Sequence, residues 1–183
     1  MTDYLKKYRP FLLFLVKFLT TYSVLLLVYQ YYLSQFDVAH FQTDSFTASV
    51  ALQVQDFLRF FDYNASLQAH LTEASVRVFV DNQSVVRIVE GCNALSVMIL
   101  FVAFIVAFAG KFWQTLGFIL AGILLIHVLN VVRISLLIIG ILTFKPIEHI
   151  LHDVVFPLFI YGIVFGLWVF WVTKFSNHAT KNP

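Results

Sequence analysis

Four apolar runs constrain this chain more than any other feature. The first, FLLFLVKFLTTYSVLLLVYQYYL, extends from Phe11 to Leu33. The second covers Ala94 to Gly110, the third Phe112 to Arg133, and the last Val154 to Val172. Each approaches the roughly 20 apolar residues that cross a bilayer as a helix. Lipid offers a backbone no hydrogen-bond partner, so only helices and closed barrels span it. The runs are continuous rather than alternating, which argues against a barrel. Composition agrees: 60% of the residues are hydrophobic and 12% charged, against about 25% charged in soluble domains. The expected fold is an all-α integral membrane protein with about four transmembrane helices. Five or six segments result if the third run breaks before the short stretch Leu136–Phe144.

Residues 1–183 read as a single membrane domain, with 11–33 as its first transmembrane helix and 92–173 as a helical core. The start has a basic region, but its apolar run continues too far for a cleavable signal and reads as a retained helix. Lys17, close to the end of that helix, can snorkel to the interface. Tyr29, Tyr31 and Tyr32 suit the far aromatic belt.

Residues 34–90 form a polar insert of α+β character. Phe46, Val50, Val54, Phe57 and Phe61 recur at spacings of three and four, which predicts an amphipathic helix over Ser45–Phe61. A polar stretch runs from Asp62 to Glu73. Val76, Val78 and Val80 then alternate, DNQS turns, and Val86 and Ile88 return, which predicts a β-hairpin leading into Glu90, Gly91 and Cys92. Lys145, Pro146 and Glu148 break the chain before the last run, and the tail FSNHATKNP reads as frayed.

Lys6, Lys7 and Arg9 precede the first helix, Lys111 separates the second from the third, and Lys174 and Lys181 follow the last. The positive-inside rule puts these three groups in the cytoplasm and the insert outside. Arg59, Arg77 and Arg87 in the insert weigh against that orientation, though a long loop dilutes them. The net charge of +2 gives no reason to expect a nucleic-acid partner. A single cysteine forms no internal disulfide.

This topology brings three reactive groups to one membrane face. Cys92 begins the second helix. At about 1.5 Å per residue, Arg133 stands about 30 Å along the third. His152 precedes the fourth. A neighbouring imidazolium or guanidinium makes a thiol a better nucleophile. A histidine can protonate a leaving amine. Arginine is no base, but it stabilises an oxyanion or grips a carboxylate. Together these roles describe acyl transfer through a thioester. Each residue also has a plainer reading: Cys92 as a small apolar residue, Arg133 as an interfacial anchor, and His152 as a satisfied interface histidine. His127 and Asn130, which precede Arg133 on roughly one helix face, can equally hold helices together. Asn130 is expected to position Arg133, and Glu90 to orient a basic group or to remain a solvated loop residue. No metal or phosphate-loop signature is present beyond the loose group His149, His152 and Asp153, and no cofactor is expected.

The segments GCNALS (Cys92), NVVRI (Asn130 and Arg133) and HDVVFP (His152) resemble the signature of the exosortase/archaeosortase family, and most of all its small Bacteroidetes-type members. The likeness runs from about Gly91 to Phe170; the first helix and the insert match only in layout. It implies a membrane cysteine protease and transpeptidase of the bacterial inner membrane. The implied catalytic residues are Cys92, Arg133 and His152, on the extracytoplasmic side. The implied partners are proteins with a C-terminal transmembrane sorting tail, together with a lipid or glycan acceptor and the membrane lipids. The chain departs from the pattern at Ala94, where the family commonly has glycine, and at Phe156, again in place of glycine. His149 lies close by, so the choice of histidine stays open; His152 is favoured because Asp153 follows it and the last helix abuts it. The other readings are a non-enzymatic scaffold or assembly subunit of an envelope export system, which uses Cys92 only for packing, and a small transporter, which needs polar groups near mid-membrane.

Overall fold

The computed structural model describes residues 2–37, 41–108, 110–143 and 156–175. Its elements follow in the order α1 (Thr2–Leu33), α2 (Ser45–Phe60), β1 (Ala65–Ala69), β2 (Ser75–Val80), β3 (Gln83–Val89), a 3-10 turn (Glu90–Cys92), α3 (Leu95–Ala107), α4 (Phe112–Thr143) and α5 (Phe156–Lys174). His149, His152 and Asp153, the predicted break at Lys145–Glu148, and the tail beyond Phe175 lie outside the described residues.

Among the described residues, two helices are long and apolar enough to cross a membrane, Tyr8–Leu33 within α1 and Phe112–Thr143. α3 and the apolar part of α5, Leu158–Lys174, are shorter. The outward faces are greasy: Leu13, Val16 and Leu27 on α1, Leu120 and Leu124 on α4, and Phe165 on α5 are all exposed. Apolar surface on this scale is what lipid, not water, accommodates.

Aromatic rings hold the helices together. Phe14 of α1 meets Phe108 with ring centroids 4.4 Å apart, and Phe18 meets Phe104 at 4.6 Å. Phe104 continues to Trp168 of α5 at 5.4 Å. Gly122 of α4 sits directly against the Phe101 ring, where a Cβ would collide. The end of α3 leaves carbonyls unpaired, as every helix end does; Trp171 Nε1 donates to one of them, Phe108 O, at 3.2 Å.

α4 is one unbroken helix of 32 residues. The stretch Leu136–Phe144 therefore does not form a separate segment; as far as Thr143 it continues the third run. At about 1.5 Å per residue the helix is about 48 Å long, well beyond the roughly 30 Å of bilayer hydrocarbon. Its upper part enters a second core, where Val131, Ile134 and Ile138 pack with Val50, Val54 and Leu58 of α2 and with Val78, Val80 and Ile88 of the sheet.

α2 keeps the first part of its expected facing, with Val50 and Val54 buried and Phe46 packed on the core, and departs from it at Phe57 and Phe61. Its buried stripe is Thr47, Val50, Ala51, Val54, Gln55 and Leu58, whereas Phe61 is exposed and Phe57 only partly covered. The small residues Thr47 and Ala51 allow close approach, which turns the bulky phenylalanines aside. Asp44 caps the helix by accepting from Thr47 N–H at 2.9 Å.

The sheet is antiparallel, in the order β1-β2-β3. Asp81 and Asn82 join β2 to β3 with φ of 50° and 64°, the left-handed pair that a two-residue hairpin turn demands. Register shifts between Val78 and Phe79. β1, within the stretch read only as polar, pairs with β2 from Ala65↔Val80 to Ala69↔Val76. β3 ends the sheet.

Candidate functional site at the Cys92 turn

The chain leaves β3, makes one 3-10 turn through Cys92 and enters α3. Ala94 provides the bend, with φ 63° in the left-handed region. An L-residue pays for that conformation with a Cβ clash that glycine lacks.

Three helices pin the turn. From α1, the Tyr29 hydroxyl donates to Glu90 Oε1 at 2.8 Å. From α2, Thr47 Oγ1 accepts from Asn93 Nδ2 at 3.0 Å. From α4, Asn130 Nδ2 donates to the Cys92 carbonyl oxygen at 2.8 Å. Asn93 also accepts from Leu95 N–H through Oδ1 at 2.9 Å, satisfying a donor in the first turn of α3. Asn93 and Asn130 are both 1% exposed, so neither amide has water as a substitute partner.

The partly exposed Cys92 opens on a cavity of about 900 Å³. One wall is β3, residues 84–89, continuing to Gly91 and Cys92. The facing wall is a single stripe of α4, made of Arg133, Ile134, Leu137 and Ile141. His70 and Arg77 complete it on the sheet side. Arg133 also borders a smaller cavity of about 180 Å³, with Asn130, Ala94, Ile160 and Tyr161. Its guanidinium is within electrostatic reach of both Cys92 and Tyr161.

Cys92 and Arg133, 41 positions apart in number (133 − 92), thus share one cavity. His152 falls outside the described residues; four positions on from it in the sequence, α5 begins and brings Tyr161 to Arg133. Asn130, expected to position Arg133, borders the small cavity with it and donates to the Cys92 carbonyl oxygen. Glu90 orients no basic group among the described contacts and takes the Tyr29 hydroxyl instead. His127 bonds to Gln53 Oε1 of α2 at 2.7 Å, so the insert reaches down to it.

Several contributors escaped the sequence reading. Tyr29 read as belt aromatic, and Thr47 as part of an ordinary helix. Tyr161 carried no signal at all. Asn93, beside the cysteine, had the best cue: a side chain of this type at a helix start takes up a free N–H. Among the described residues no cluster of His, Cys, Asp and Glu could hold a metal ion.

The family model of the transmembrane exosortases (EpsH) matches residues 11–173. No curated protein and no solved structure matches the chain.

Proposed function

The chain belongs to the transmembrane exosortase family, and from that premise we propose that it is a membrane cysteine peptidase and transpeptidase acting on C-terminal sorting tails of envelope proteins. The observation that carries this reading is the shared cavity of Cys92 and Arg133, built from two distant segments at one end of the apolar helices.

In the proposed reaction, His152 takes the Cys92 thiol proton as Sγ attacks the carbonyl carbon of the scissile peptide bond. The oxyanion that forms is held by the Arg133 guanidinium, a fixed charge in a partly dry site. The C–N bond then breaks. His152 protonates the departing amine, and the acyl group stays on Cys92 as a thioester. Water, or a nucleophile on a lipid or glycan acceptor, attacks the thioester and returns the thiol. Asn130 fixes the backbone from which the thiol projects.

Four crossings, with the site outside the bacterial inner membrane, complete the proposal. The basic groups support this orientation. Phe14 near the start of α1 meets Phe108, and Gly110, beside Lys111, meets Phe175, beside Lys174. These basic ends therefore lie together, away from Tyr29, Cys92 and Arg133, and positive residues favour the cytoplasmic side.

The test is processing of tail-bearing envelope proteins in cells carrying the intact chain or Cys92→Ala at matched membrane abundance. Precursors accumulate only in the variant if the proposal holds. Unchanged processing of every such protein would overturn it and favour the scaffold reading.

A further inference from the structure

The cavity beside Cys92 runs along β3, a strand edge with no partner strand among the described residues. Among the described residues, β3 is the last strand of its sheet and pairs with β2 alone. An edge strand directs alternate N–H and C=O groups outward, where they seek a partner. Here that edge does not face open solvent. Residues 84–89 form one wall, and the apolar stripe Ile134, Leu137, Ile141 of α4 stands opposite. The strand leads directly into Gly91 and Cys92 at one end of the groove.

Among the described residues, the charged side chains that line the groove are all basic. Arg77 and Arg87 are direct cross-strand partners, an arrangement that like charges disfavour. Arg87 is paired with Glu73, while Arg77 bonds to His70 Nε2 at 2.7 Å. With Arg133 at the thiol end, the lining favours carbonyl oxygens and repels a basic segment.

We infer that the substrate binds as an added strand: an extended stretch of its polypeptide pairs with the free edge of β3, lies against Ile134, Leu137 and Ile141, and delivers its scissile carbonyl to Cys92. The inference rests on Cys92 as the nucleophile. Strand addition supplies affinity through the backbone and leaves side-chain pockets on alternate residues. It also fixes chain direction and register, which orients the scissile carbonyl.

The chain has one cysteine, so alkylation reports on Cys92 without ambiguity. The intact protein in detergent is treated with iodoacetamide and, separately, with Ac-Ala-Val-Ala-Val chloromethyl ketone, whose chloride Sγ displaces. The peptide is then N-methylated at each amide in turn, and labelling rates are read by mass spectrometry. Strand addition predicts a period of two. Methylation at alternate amides slows labelling by about three- to tenfold, the worth of one hydrogen bond, and methylation at the intervening amides leaves the rate unchanged. A flat profile, with Cys92 still alkylated, overturns strand addition and leaves the nucleophile standing. Failure of both reagents to label Cys92 overturns the nucleophile reading and this inference with it.

Discussion

The side-chain amide of Asn130 donates to the main-chain carbonyl of Cys92 across 2.8 Å. This bond locks the thiol-bearing turn to the same helix that carries Arg133, less than one helical turn further on. Among the three bonds that pin the turn, this one ties the thiol directly to the helix of the guanidinium.

Replacing Asn130 tests that link. Asn130→Ala removes a buried donor and costs about 1 kcal/mol, so tail processing is expected to slow by about fivefold. Asn130→Asp keeps the volume but turns an acceptor toward the Cys92 carbonyl, and should slow it further. Equal rates for the two variants would mean that Asn130 acts only through packing. Processing rate per folded enzyme is the measurement.

Arg133→Lys keeps the charge and loses the planar fork. Loss of one donor to a developing oxyanion typically costs about 10²–10³ in rate, and a drop of at least about tenfold is expected here. Iodoacetamide labelling of Cys92 checks that the cavity survives. Near-normal turnover by the lysine variant would remove Arg133 from that role.

Ala94→Gly should stabilise the fold. The left-handed φ of 63° at this position costs an L-residue about 1 kcal/mol, which glycine avoids. Ala94→Val should destabilise it, because a branched Cβ suits that region still less. The fraction folded after stepwise heating in detergent measures both.

His152→Ala is expected to abolish processing more completely than His149→Ala, with both variants matched for membrane abundance. The opposite order moves the acid/base role to His149.

Certain parts of this architecture were legible because their signals are local. Val76, Val78 and Val80 alternate and a turn-forming Asp-Asn follows them, so the hairpin could be read from neighbours alone. The meeting of Cys92 and Arg133 followed from counting crossings and multiplying by the helix rise. β1 was not legible: ASLQA holds no β-branched residue and takes its structure from pairing with β2. The facing of α2 was legible at Phe46, Val50 and Val54 but not at its end, where two stripes overlap and the tighter packing along Thr47 and Ala51 leaves Phe61 exposed. Arg133 looked like the end of a run because a charge in an apolar stretch reads as a boundary. In three dimensions it faces a cavity, so α4 continues past it.

That continuity has a mechanical consequence. One rod carries exposed apolar residues such as Leu120 in its first half, and Ile134, Ile138 and Ile141 in its second, shared between the insert's core and the groove wall. A displacement of its first half is passed to its second, because the helix has no break before Thr143. The insert is thus a fixed extension of α4, and the thiol-bearing turn that Asn130 ties to this helix moves with it.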